Sequence, residues 1–298
     1  MAKLAGTVFS AFADTNSSLS TATKASVSTP SEVSVVRTIK ENSGVALAQY
    51  ATHDVFGAKV HVVQIAPDAT VFVAVADDLA PLSNFTADEV GLVRLNAGFF
   101  DPQNGKTTSH ITVSGQVAGD PADNERLVDN PSLQQYLPQI LNRSEFRVYR
   151  CGPDAMTRYD IVFHDAPLPI DCQVEHAVGA GPQLLPVDTS DVEAFTDYEN
   201  GELVRDAIGG MQPNARSAVG IDENGLVYLL MVEKNADSAG LTLTALADFG
   251  DSLGLTQLLN LDGGSSSSLQ FLEDTYFGRS DADNVPIQRA VKSVISVD

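Results

Sequence analysis

Short β-branched runs, each stopped by turn-forming residues, constrain this chain most, because runs of that length fit strands and are too short for buried helices. Residues 60–65 and 71–76 are two such runs, and Ala66-Pro67-Asp68-Ala69-Thr70 between them predicts a hairpin. Residues 217–221 and 226–232 flank Asp222-Glu223-Asn224-Gly225, which predicts a second, with glycine where left-handed backbone is wanted. Residues 92–96, 146–149, 159–163, 257–261 and 291–297 read as further strands. Three helices are expected. One is capped by Ser83 or Thr86, one runs over residues 131–141, and one is capped by Thr242. The last has Leu243, Leu246, Phe249 and Leu253 at helical spacing, with Gly254 ending it. Hairpins come first and a β-helix-β unit later, so the expected class is α+β: a mixed, largely antiparallel sheet flanked by helices, in a single domain.

Residues 14–32 are rich in Ser, Thr and Ala without hydrophobic period, so residues 1–32 read as a flexible leader before a domain over residues 33–298. Ala11-Phe12-Ala13 at the end of a short apolar run suggests an export signal cut before Asp14. The compartment stays open on this reading, with secretion or the cell surface favoured. No apolar run is long enough to span a membrane. The 39 acidic against 18 basic side chains give a net charge of −21, which argues against nucleic acid and anionic lipid as partners. A chain so acidic that handles phosphate must concentrate its few arginines at the site. Cys151 and Cys172 are either one disulfide or two buried thiols.

Two segments share one design, an apolar strand running straight into small and polar residues. They are Leu95-Asn96-Ala97-Gly98-Phe99-Phe100-Asp101 and Leu259-Asn260-Leu261-Asp262-Gly263-Gly264-Ser265-Ser266-Ser267-Ser268. A buried strand fixes the side chain at its exit, and glycines let backbone N–H groups approach a ligand that a Cβ would block. Asp262 followed by Gly263 and Gly264 is thus a candidate phosphate nest. Taken singly, such a run is more often a β-turn with solvated serines, and Asn96 a residue that only ties a turn together.

The two segments occur with Gly179-Ala180-Gly181-Pro182, Arg216-Ser217-Ala218-Val219-Gly220-Ile221-Asp222, Ser238-Ala239-Gly240-Leu241-Thr242-Leu243 and Arg289-Ala290-Val291. That ordered set resembles the phosphodiester glycosidase family, from about Leu92 onward. The resemblance implies cleavage of the bond between an anomeric carbon and a phosphate oxygen, with a sugar-phosphate or phosphoglycan as substrate. The chain departs from the family pattern at Ser265, where a third glycine is expected, at Glu233-Lys234 for Asp-Gly, and at Ser109-His110 for a glycine and an apolar residue. These positions bear chiefly on sugar preference.

A phosphate monoester leaves as a stable anion, so it needs positive charge and N–H donors more than a strong acid. Arg216 is the candidate clamp, completed by Gly263, Gly264, Ser266 and Ser267, with Arg289 as a second cation; either arginine also reads as part of an ion pair. Asp262 is the candidate carboxylate for activating water, and Asp101 a possible partner in that task. Asn96, Gly98, Gly181 and Pro182 complete the expected binding set. His110 could touch substrate or be a structural histidine. No cofactor is required; the acidic turns at residues 120–124 and 281–284 could each hold a calcium ion, but neither matches a complete calcium loop, and solvated acidic turns are the plainer reading. Two rivals remain: a glycan-binding or phosphoglycan-binding module without turnover, and a serine hydrolase using one of residues 265–268, for which no G-x-S-x-G elbow is present.

Overall fold

The computed structural model describes residues 36–40, 46–85 and 93–298. The leader, Thr86 and the start of the strand expected at Leu92 lie outside them. The described residues form three large antiparallel sheets that share one core, and two small two-stranded ones, Thr196–Glu199 with Glu202–Asp206 and Lys234–Asn235 with Ser238–Ala239. The first sheet has seven strands in the order Val36–Lys40, Ala46–Val55, Ala58–Ile65, Val227–Val232, Arg216–Asp222, Leu255–Asn260 and Gln183–Leu185. The second runs Gln116–Gly119, Ile111–Val113, Cys172–Gly179, Ser144–Cys151 and Met156–Phe163. The third runs Asp274–Phe277, Ser268–Phe271, Val93–Asn96, Val291–Val297 and Val71–Ala80.

This corrects the expected α+β class. The structure is mostly β, its sheets are antiparallel rather than mixed, and its longest helix among the described residues is Leu243–Ser252, ten residues long. That helix is capped as expected, the Thr242 hydroxyl accepting the Ala245 N–H at 3.1 Å. The helix expected over residues 131–141 is only a 3-10 turn, Gln134–Tyr136, and the single turn Leu137–Ile140. Ser83 caps nothing: the turn Leu82–Asn84 has Pro81 at its start and no side-chain cap.

The hairpin expected across residues 66–70 is also absent. Ala58–Ile65 turns back through Phe56-Gly57 to pair with Ala46–Val55, while Val71–Ala80 crosses to the third sheet and pairs with Val291–Val297. The hairpin at Asp222-Glu223-Asn224-Gly225 forms, with Gly225 at φ +79° and Arg216–Asp222 paired to Val227–Val232.

The first sheet is covered on both faces, which explains why its central strands read as continuous apolar runs. Val219, Ile221, Leu229 and Met231 face the core shared with the other two sheets. Ala218, Leu230 and Val232 face Leu243, Leu246 and Phe249 of the helix. Cys151 and Cys172 sit opposite each other on neighbouring strands of the second sheet and form a disulfide.

Candidate active site

The strand exits carrying residues 96, 216 and 262 converge because one buried side chain stitches the first sheet to the third. Asn96 is fully buried. Its Nδ2 donates to the Asp262 carbonyl at 2.6 Å, and its Oδ1 accepts from the Ser217 hydroxyl at 2.7 Å and the Ser268 N–H at 3.0 Å. The Asp262 N–H in turn donates to the Ala97 carbonyl at 2.9 Å. A buried amide satisfied on both ends fixes register between two sheets that share no ladder there.

Beside this seam lies a cavity of about 180 Å³ whose walls include Phe99, Asn214, Arg216, Asn260, Asp262 and Gly264. The Asp262 carboxyl is partly open to the cavity and otherwise ringed by protein. Burial pushes it up to about 6, against the opposing pull of a hydrogen bond from Ser266, the positive charge of Arg289 and the Gly263 N–H. A carboxyl in that range exchanges its proton near neutral pH and suits acid–base work.

Arg216 is 2% exposed, and its guanidinium donates to the carbonyls of Leu241, Ile208, Gly209 and Gln212. Desolvation lowers it to about 10, with Asp206 opposing that shift. Among the described residues no carboxylate comes within ion-pair distance, so its direct hydrogen-bond partners at the cavity wall are all neutral carbonyls. Arg289 is partly buried; it donates to the Ser265 hydroxyl at 3.4 Å and lies 5.7 Å from the Phe100 ring.

The glycines and serines after Asp262 bond mostly within the protein. The Gly264 N–H donates to the Ala215 carbonyl, and the Ser266 and Ser267 N–H groups close the turn onto Gly263 and Gly264. Ser266 bonds the Asp262 carboxyl, whereas Ser267 is sealed in the core. Gly98 and Gly181 allow close packing: a Cβ on Gly98 would lie 3.0 Å from the Gly179 carbonyl, and one on Gly181 would collide with Glu193 and Phe195. The Pro182 carbonyl accepts the Asn260 N–H. Asp101 accepts from Arg126 at 2.6 Å and from the Gln103 N–H, away from the cavity walls. His110 stacks on His164 at 3.5 Å and donates to the Leu141 carbonyl; burial, then His164, lowers its pKa.

The three departures from the expected motifs each have a bonding role. The Ser109 hydroxyl accepts the Phe99 N–H and so holds a cavity wall. Ser265 holds Arg289. Glu233 accepts from His61 and Asn235, and Lys234 donates to the Pro213 carbonyl. In the acidic turns, Asp120 and Asp281 accept backbone N–H groups, and no cluster of three His, Cys, Asp or Glu among the described residues could hold a metal ion. No helix among them is long and apolar enough to cross a membrane.

A second cavity, of about 290 Å³, meets the first at Ile208 and is walled by Phe195, Tyr198, Asp206, Met211 and Leu243 among others. Apart from Leu243, which belongs to the Ser238–Leu243 motif and the helix after it, these residues carry no sequence signal: they come from a hairpin and loop outside every recognisable motif.

No curated protein matches the chain. The fold is similar to that of the zebrafish N-acetylglucosamine-1-phosphodiester alpha-N-acetylglucosaminidase catalytic domain, at 17% identity and TM-score 0.60, covering 92% of this chain and 85% of that one. It is also similar to a Synechocystis protein described as hypothetical, at 17% identity and TM-score 0.58, covering 89% of this chain; the chain spans 64% of that protein's length. The phosphodiester glycosidase family model matches residues 91–297. That stretch holds all three convergent strand ends and every wall residue of both cavities, and the chain belongs to the phosphodiester glycosidase family.

Proposed function

We propose that the chain hydrolyses the bond between the anomeric carbon and the phosphate oxygen of a sugar-1-phosphate diester, releasing the free sugar and a phosphomonoester. The observation that carries this reading is Asp262: a carboxyl pushed up to about 6 at a strand exit, facing a cavity bordered by Arg216 and within the field of Arg289. In its ionised form Asp262 takes the proton of the attacking water. The departing phosphomonoester is already a stable anion, so the arginines stabilise it by charge, Arg289 and the Ser265 hydroxyl from one side and Arg216 from the cavity wall. Asn96 is a positioning residue that holds the Asp262 backbone in place. Arg216 also fixes the loop between the two cavities through its carbonyl bonds.

The test is incubation with an N-acetylglucosamine-α-1-phosphoryl compound and detection of free sugar. Asp262→Asn and Arg289→Ala are each expected to reduce turnover by about a hundredfold, the size typical of one positioned catalytic group. Binding of the substrate without product, or near-normal turnover in Asp262→Asn, would refute the proposal and favour a phosphoglycan-binding module.

A further inference from the structure

We propose that Asn260 aims the attacking water in the Asp262 cavity: its Oδ1 accepts the hydrogen of that water that is not transferred, the one that stays on the sugar as its new anomeric hydroxyl. The inference rests on the hydrolysis assigned above to Asp262 and adds the group that orients its nucleophile.

Asn260 ends the strand Leu255–Asn260 and is 1% exposed. Leu259 and Leu261 face the core shared by the large sheets, so by strand alternation Asn260 faces the other way, the side on which Leu258 packs against the helix. Asn260 and Asp262, two residues apart, both border the same cavity. At the rise of extended chain their backbones are about 7 Å apart, a spacing that one water spans with a hydrogen bond to each side chain.

The Asn260 amide is half used. Its Nδ2 donates to the Gly181 carbonyl at 2.8 Å, whereas Oδ1 has no hydrogen-bond partner among the described residues. The amide cannot be turned round, because Oδ1 would then meet the Gly181 carbonyl oxygen, acceptor against acceptor. Four buried side-chain polar atoms lack a partner among the described residues, and of these only Asn260 Oδ1 belongs to the wall of this cavity. A bare acceptor in a protein interior is costly, so the donor it lacks comes from what enters the cavity. Ionised Asp262 and Asn260 Oδ1 both accept, and water is the reactant with two hydrogens to give. One passes to Asp262 and the other rests on Oδ1, which leaves the water oxygen free to bond the anomeric carbon. As that bond forms, the bond from carbon to the phosphate oxygen breaks, and its electron pair leaves with the phosphomonoester.

Methanol tests this assignment. Its single hydroxyl hydrogen serves Asp262, and its methyl group stands where Asn260 would hold the second hydrogen. The experiment is turnover of an N-acetylglucosamine-α-1-phosphoryl compound by the full chain in buffer containing methanol, with free sugar and methyl glycoside measured together. Asn260→Ala is expected to lower the ratio of free sugar to methyl glycoside by about tenfold, the worth of one neutral hydrogen bond, with KM unchanged. Asn260→Leu, which keeps the side-chain volume, is expected to do the same. The ratio is set within folded molecules alone, so a variant that folds only in part still reports it. Equal losses of both products would overturn the inference and leave Asn260 a structural residue. A raised KM with an unchanged ratio would overturn it in favour of a sugar hydroxyl as the donor. Wild type that releases neither product would refute the hydrolysis itself, and the inference with it.

Discussion

Replacing Asp262 by asparagine is expected to stabilise the fold at neutral pH even as it removes activity. The wild-type carboxyl ordinarily titrates near 3.8 and is raised by burial to about 6. The folded chain therefore holds that proton more tightly than the unfolded chain. The resulting stabilisation is complete below the unfolded value, and it is lost as pH rises through the folded one. A rise of about two pH units corresponds to about 3 kcal/mol. Asparagine does not titrate, so the variant escapes this loss. Its stability relative to wild type should grow by about 3 kcal/mol between pH 3.5 and pH 7.5, a melting shift of about 5 °C for a domain this size. The assay is urea or thermal unfolding of both proteins across that pH range. A stability difference that stays flat with pH would refute the claim that Asp262 is ionised at a cost, and with it the argument for its catalytic pKa.

Ser266→Ala removes a hydrogen bond to the ionised Asp262, so the acid limb of the pH–rate profile should move to higher pH while the fold persists; an unmoved limb would separate Ser266 from Asp262. Removing the Cys151–Cys172 bond by double substitution to serine should lower stability by about 3 kcal/mol, the chain-entropy value for a separation of 21 residues, and leave turnover intact, as read by denaturant titration beside the sugar-release assay.

What the sequence revealed was local. The turn at Asp222-Glu223-Asn224-Gly225 and the Thr242 cap form because the residues that determine them are neighbours in the chain. Asp262 was marked by its own strand and the glycines beside it. Partnership between strands was not legible: Ala66-Pro67-Asp68-Ala69-Thr70 turns the chain whether the flanking strands pair or part to different sheets, and only distant partners decide. The same holds for Asn96, whose bonds to Ser217 and Ser268 span 121 and 172 residues. Arg216 was picked out by its motif, yet three of its four carbonyl partners, Ile208, Gly209 and Gln212, lie in a loop that carries no motif. The acidic side of the second cavity had no signal, because Asp188, Tyr198 and Asp206 become neighbours only through the fold.

The placement of Val93–Asn96 between Ser268–Phe271 and Val291–Val297 has a consequence for how the molecule is made. A ribosome delivers Asn96 long before either flanking strand exists, so the strand that sets the reaction centre waits unpaired through most of synthesis. Folding must close these distant pairings before catalysis is possible, which predicts slow acquisition of activity and a nascent chain reliant on protection until residues 291–297 emerge.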